Sequence, residues 1–157
     1  LFATLDPTTR RLCLPQTGSA PRELLITDTV GFIRELPGPL MQAFMATLEE
    51  TREADRLLLV VDLGNPDWQG QLEAVHSILD RLECHQPRKV LANQIDRCDA
   101  STLESIRILD PAALYVSATQ GTGLKGLRAW LEQSFWGISP EPAHPGPSHP
   151  SSEHADE

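Results

Sequence analysis

The sequence predicts an α/β chain, three layers deep, with helices packed on a mostly parallel sheet. Three observations point there. Apolar runs of strand length alternate with stretches of helical period, the pattern of βα units joined by right-handed crossovers. The run Leu57-Leu58-Leu59-Val60-Val61 has no polar alternation, as expected of a strand with helices on both faces. Four runs each end on polar residues: Leu24-Leu25-Ile26 on Thr27-Asp28, Leu57–Val61 on Asp62, Val90-Leu91-Ala92 on Asn93, and Leu114-Tyr115-Val116 on Ser117. Ligands of open parallel sheets sit beyond the carboxyl ends of the strands, so four such ends describe one site.

Each element has its own signal. Residues 1–11, rich in Thr with Pro7, read as a loop, and Leu12-Cys13-Leu14 as a short strand stopped by Pro15. Leu24–Thr27 reads as a buried strand followed by a loop from Asp28 to Pro39. Pro37-Gly38-Pro39 then opens a helix over Leu40–Ala54, with Leu40, Ala43, Phe44, Thr47 and Leu48 at the helical period. After the Leu57–Val61 strand, Trp68, Leu72, Val75, Leu79 and Leu82 form one apolar stripe, which is core packing. Val90–Asn93 is the next strand, and Leu103, Ile106 and Leu109 mark a short helix ending near Pro111. Leu114–Val116 leads through Gly121 and Gly123 into a last helix bearing Leu124, Leu127, Leu131 and Phe135.

One domain is therefore expected over residues 1–137. Residues 138–157 hold five prolines with Ser, Gly, Glu and His, too little apolar surface to offset chain entropy, and are expected to be a disordered tail. His144, His149 and His154 lie in it and read as solvated.

Composition narrows the function. With 157 residues, 40% hydrophobic and 22% charged, the chain has the material for a real core. No apolar run approaches the ~20 residues of a membrane span, and no basic-then-apolar leader is present. Cys13, Cys84 and Cys98 include no CxxC pair, which argues against a disulfide framework or zinc site and for a reducing, cytoplasmic setting. A net charge of −9 does not attract phosphate backbones, so sequence-specific DNA binding is not expected.

The polar strand ends carry the chemistry. Asp28-x-x-Gly31 suits phosphate and magnesium: the carboxylate of Asp28 can hold a water of the Mg²⁺ shell, and Gly31 lets its N–H approach a terminal phosphate. Asn93-x-x-Asp96 suits guanine. A carboxylate accepts from the N1–H and N2–H₂ edge, which adenine lacks, while Asn93 ties neighbouring loops. Taken alone, this element also fits an Asx-type turn. Ser117-Ala118-Thr119 offers a backbone N–H to the O6 acceptor, and the hydroxyl of Thr4 can ligate Mg²⁺ or make only a local bond. The order Thr4, Asp28, Asn93, Ser117 along the chain makes these readings one reading, GTP recognition.

The segments LFATLDPTTR, TDTVGFIRELP, ATLEETREAD and LLLVVD resemble the HflX GTPases of the Obg–HflX group over roughly residues 1–137. The resemblance implies a P-loop GTPase fold, the G domain, here lacking its first strand, phosphate loop and first helix. It implies GTP and GDP as substrate and product, with Mg²⁺ as cofactor. Phe2, Ala3, Thr4, Leu5 and Asp6 would form switch I, with Thr4 on the metal. Asp28, Thr29, Val30 and Gly31 would form switch II, with Asp28 on the metal through water. Asn93, Gln94, Ile95 and Asp96 would read the base, and Ser117, Ala118 and Thr119 would make the last nucleotide contact. Catalytic residues are not identified, Thr4 and Gly31 being the best candidates. The implied partners of this cytoplasmic protein are the large ribosomal subunit and the 70S ribosome.

Three departures from that family stand out. No G-x-x-x-x-G-K-[ST] occurs, so the chain is expected to be the C-terminal part of a longer GTPase, its exposed strand edges prone to pairing. Gln94 stands where the family usually has Lys, which predicts weaker nucleotide binding with guanine selectivity kept. Phe32 follows Gly31 where Ras-like proteins place the water-orienting Gln, which predicts slow intrinsic hydrolysis, on the order of ~10⁻⁴ s⁻¹, accelerated by a partner. Two other readings stay open, a guanine-nucleotide module that does not hydrolyse and a fragment with no ligand.

Overall fold

The computed structural model describes residues 8–14, 21–29 and 50–138. Its two sheets are an antiparallel pair, β1 (Thr8–Leu14) with β2 (Arg22–Asp28), and a parallel sheet of order β3 (Leu57–Asp62), β4 (Arg88–Asn93), β5 (Leu114–Tyr115). Between the parallel strands run α1 (Trp68–Arg81) and α2 (Ala100–Leu109), and α3 (Leu124–Trp136) follows β5. Sheet and helices make the expected three-layer α/β architecture. A short 3₁₀ turn, Glu50–Glu53, precedes β3 and stops before Ala54; residues 40–49 of the expected Leu40–Ala54 helix lie outside the described residues, as does the tail beyond Ile138.

The parallel sheet owes its core to one face. Leu57, Leu59 and Val61 alternate inward and meet Trp68, Leu72 and Leu79 of α1 and Ile106 of α2. This is the apolar stripe at helical spacing that the sequence predicts. Leu79 and Ile106 are fully buried, each worth about 2–3 kcal/mol relative to exposure. Strand β4 is central, paired on both sides, and Val90, Leu91 and Ala92 are all buried. Strand β3 is paired only with β4 among the described residues, and Val60 on its other face is 62% exposed. The expectation of two covered faces therefore holds for β4 and not for β3.

The hairpin corrects two expectations. Residues 8–11 are strand, not loop: Thr9 and Thr27 share a side-chain hydrogen bond at 2.8 Å, and Arg11 pairs with Glu23 at 3.4 Å across the ladder. Tertiary pairing overrides a Thr-rich stretch whose local signal is weak. Strand β2 is not buried along its length either. It pairs with β1 in the register Leu12↔Leu24 and Arg11↔Leu25, so alternate residues face opposite sides. Leu24 is buried, whereas Leu25 on the other face is 72% exposed. Ile26, back on the Leu24 side, is 45% exposed, so the ribbon is dry only near Leu24, which the apolar run Leu24-Leu25-Ile26 does not reveal.

The two sheets nevertheless share an anchor. At the start of β2 the Arg22 guanidinium stacks over the Trp136 ring at 5.2 Å. Just before β3, Arg56 stacks over Phe135 at 5.5 Å and donates to the Ser134 carbonyl at 2.8 Å. Both strands thus begin at the last turn of α3 and run away from it, towards Asp28 and Asp62.

Candidate functional site

The carboxyl ends of β3, β4 and β5 form one rim. Parallel register sets Asp62 of β3 opposite Asn93 of β4, and the chain after β4 folds back beside the chain after β5. Asn93 is the tie. Its carbonyl accepts the Leu63 N–H at 3.1 Å, and its Oδ1 accepts the Ala118 N–H at 3.1 Å, so one residue joins all three loops. The sequence expects this tying role. It also expects the Ala118 N–H to face a ligand acceptor; here that N–H is already engaged by Asn93, and an O6 atom would have to take it over.

Ser117 is completely buried for a structural reason. Its N–H donates to the Thr122 carbonyl at 3.0 Å, and its Oγ accepts from the Gln120 N–H at 3.2 Å and lies 3.2 Å from Thr119 Oγ1. The hydroxyl thus closes the loop on itself, while Ala118 and Thr119 are exposed at its tip. Gly123 makes the loop possible. It adopts φ +77°, and a Cβ there would stand 1.9 Å from the Tyr115 carbonyl oxygen, so the chain passes directly against β5.

The loop after β4 holds Gln94 at φ 62°, a left-handed conformation that costs a residue with a Cβ about 1–2 kcal/mol. The surroundings hold it there. The Arg97 N–H donates to the Gln94 carbonyl at 2.9 Å, and Arg97 Nη1 donates to Gln94 Oε1 at 2.9 Å. Ile95 is secured by its N–H on the Val116 carbonyl at 3.3 Å. Asp96, between them, is exposed, and no hydrogen bond or ion pair engages its carboxylate among the described residues. Asp99 then caps α2, its Oδ1 accepting from the Thr102 N–H at 2.7 Å. That bond, with those from the Thr102 and Ser101 side chains, holds the Asp99 carboxyl below its usual range. Cys98 is affected in the opposite sense, burial raising its thiol above the ordinary value, with the charges of Asp99 and Asp96 adding to this.

Asp28 is exposed at the end of β2, opposite Thr8, with Thr29 after it. It lies in the other sheet, so hydrogen-bonded register does not bring it to Asn93 and Ser117. What relates it to them is the shared start of β2 and β3 at α3. Phe2, Ala3, Thr4, Leu5, Asp6, Val30 and Gly31 lie outside the described residues. Among the described residues no cluster of His, Cys, Asp or Glu forms a metal cage.

Gly64 has no motif of its own and stands beside Asp62, one of the four polar strand ends. Asp62 accepts the Gly64 N–H at 2.8 Å, and a Cβ on Gly64 would stand 3.0 Å from Gln94 Oε1 and 3.1 Å from Asp62 Oδ1. The signal for Gly64 was its place, two residues after the strand end opposite Asn93. Arg97 had no signal of its own.

No protein-family model matches the chain. Curated proteins do. GTPase HflX of Magnetococcus marinus is 42% identical over 135 residues, covering 85% of this chain and 30% of that protein. GTPase HflX of Treponema denticola is 42% identical over 130 residues, covering 82% and 33%. GTPase HflX of Escherichia coli K12 is 39% identical over 140 residues, covering 87% and 32%. The chain thus spans about a third of the length of these relatives. Among solved structures, the crystal structure of an SsGBP mutation variant superposes with a TM-score of 0.66 at 27% identity, covering 79% of this chain and 45% of that one.

Proposed function

On the premise that this chain belongs with the HflX GTPases, we propose that it supplies the base-reading half of a GTP-hydrolysing G domain. The observation that carries the reading is the rim itself: Asn93 joins the loops after three parallel strands and leaves the Asp96 carboxylate unengaged beside them. A carboxylate so held accepts two hydrogen bonds from the N1–H and N2–H₂ of guanine. With adenine it would meet no matching donors, and a site with its polar groups left unpaired rejects the wrong base by about 10⁴-fold or more.

The reaction is transfer of the γ-phosphoryl group of GTP to water. In this reading the phosphate cradle belongs to the part of the relatives that this chain does not match. Phe2–Asp6 and Asp28–Gly31 would serve as the switches, ordered by the γ-phosphate and released on hydrolysis. Mg²⁺, when bound, neutralises charge on the phosphates. The donors assigned to it are hard oxygens, the Thr4 hydroxyl and, through water, Asp28. Phe32 brings no polar group to the attacking water, so intrinsic hydrolysis is slow and a partner speeds it. The family resemblance makes that partner the large ribosomal subunit or the 70S ribosome, in the cytoplasm.

The test is base exchange at Asp96. In the full-length protein carrying this chain, Asp96→Asn replaces one acceptor oxygen by an N–H₂ donor. It weakens GDP by about 10²-fold and gains xanthosine diphosphate, whose O2 accepts where guanine donates. Fluorescent-nucleotide titration reads both. GDP binding unchanged by Asp96→Asn, or wild-type binding that does not prefer guanine over adenine, refutes the proposal. Stimulation of GTP turnover by added ribosomes reads the partner, and a rate indifferent to them removes it.

A further inference from the structure

We propose that Arg97 is a positioning residue for nucleotide recognition, clamping the Gln94 carboxamide over Gly64 and so fixing the loop that presents Asp96. The inference rests on the guanine-nucleotide reading above and adds to it a residue outside the four motifs.

Three observations meet at this point. Gln94 stands in the left-handed region, which a side chain with a Cβ keeps only when its surroundings over-determine it. Arg97 closes the Gln94–Arg97 turn twice, with its backbone N–H on the Gln94 carbonyl and with Nη1 on Gln94 Oε1, both at 2.9 Å. Asp96 lies inside that turn, so whatever sets the turn sets the direction of its carboxylate. The third contact is steric. A Cβ on Gly64 would come to 3.0 Å from Gln94 Oε1, so the carboxamide bridges from the loop after β4 to the loop after β3.

The chemistry is specific to this pairing. A guanidinium donating to an amide oxygen makes a charge-assisted bond, stronger than one between neutral groups. It commits Oε1 to Arg97 and leaves the Nε2 donors of Gln94 as its outward end. Arg97 makes no ion pair among the described residues, so its charge is committed to Gln94 alone. Gln94 alone is a flexible neutral side chain. Held by Arg97, it is fixed at its Oε1 and keeps its Nε2 donors uncommitted among the described residues.

A double-mutant cycle on the full-length protein tests this, using fluorescent GDP as probe with Arg97→Ala, Gln94→Ala, the double variant and Arg97→Lys. Arg97→Ala is expected to weaken GDP by about 3- to 10-fold, the range of one net hydrogen bond. The double variant is expected to bind no worse than Gln94→Ala alone, because the two act as one unit. Arg97→Lys, which keeps a cationic donor, recovers part of the loss, and the melting temperature without nucleotide is unchanged. Effects that multiply independently, GDP binding indifferent to Arg97→Ala, or a lowered melting temperature without recovery by Lys overturn the proposal while leaving guanine recognition standing. A wild-type protein that does not bind GDP overturns both.

Discussion

Gly123→Ala is the sharpest perturbation the rim allows. The substituted Cβ would sit 1.9 Å from the Tyr115 carbonyl oxygen, 3.0 Å from its carbon and 3.2 Å from Val116 Cα, all backbone atoms with no flexible end to give way. Ordinary contact begins at about 3.4 Å, so the loop must retreat from β5 by more than an ångström. The retreat pulls on the Ser117 N–H to Thr122 bond, because both partners lie between Gly123 and β5. A positive φ costs an alanine about 1–2 kcal/mol, and a forced shift in a packed region about 1–3 kcal/mol more. The sum is about 2–5 kcal/mol, or roughly 5–15 °C in melting temperature for a domain of this size. Gly121→Ala is the internal control, since Gly121 has φ +73° but nothing within 4 Å of its Cβ. It pays the dihedral alone, about 1–2 kcal/mol. Thermal and urea unfolding of the two variants separate the terms. If both melt together, the close approach of the loop to β5 is not what fixes this loop.

Asn93→Ala should expose the Ala118 amide, now held at 3.1 Å by Asn93 Oδ1, and cost about 1 kcal/mol; faster hydrogen exchange at Ala118, with the β4 amides still protected, is the readout. The Asp99 cap gives a pH signature. Hydrogen bonds from Thr102 and Ser101 lower its carboxyl below the usual value of 3.8, so its contribution is present above that pH and is lost as the pH falls through the folded value. Melting curves of wild type and Asp99→Ala should therefore differ at neutral pH and converge in strong acid, and a constant gap would contradict the cap.

How legible all this was depends on the length scale of each signal. Helix α1 was plain because Trp68, Leu72 and Leu79 repeat at a helical period and nothing else explains their spacing. Strand β4 was plain because it is buried on both sides, so its composition alone declares it. Strand β1 was half hidden, since Thr8–Arg11 become strand only through partners more than ten residues away. The burial of β2 was misread because an unbroken apolar run looks alike in a strand covered on both faces and in a largely exposed ribbon. At the rim, Asn93, Asp96 and Ser117 were legible as residue types after strands. The engagement of Ala118 by Asn93, the clash at Gly123 and the hold of Arg97 on Gln94 depend on ångström distances between loops, and no local pattern encodes those.

The meeting of Arg22 with Trp136 and of Arg56 with Phe135 has a mechanical reading. A ribbon and a sheet edge seated on one helix end resemble the blades of a pair of tongs, with the aromatic pair as their rivet. A small swing at the rivet becomes a larger displacement at the tips, where Asp28 and Asp62 stand. Loosening it, as in Trp136→Ala, would change how far apart those carboxylates come to rest without touching either one.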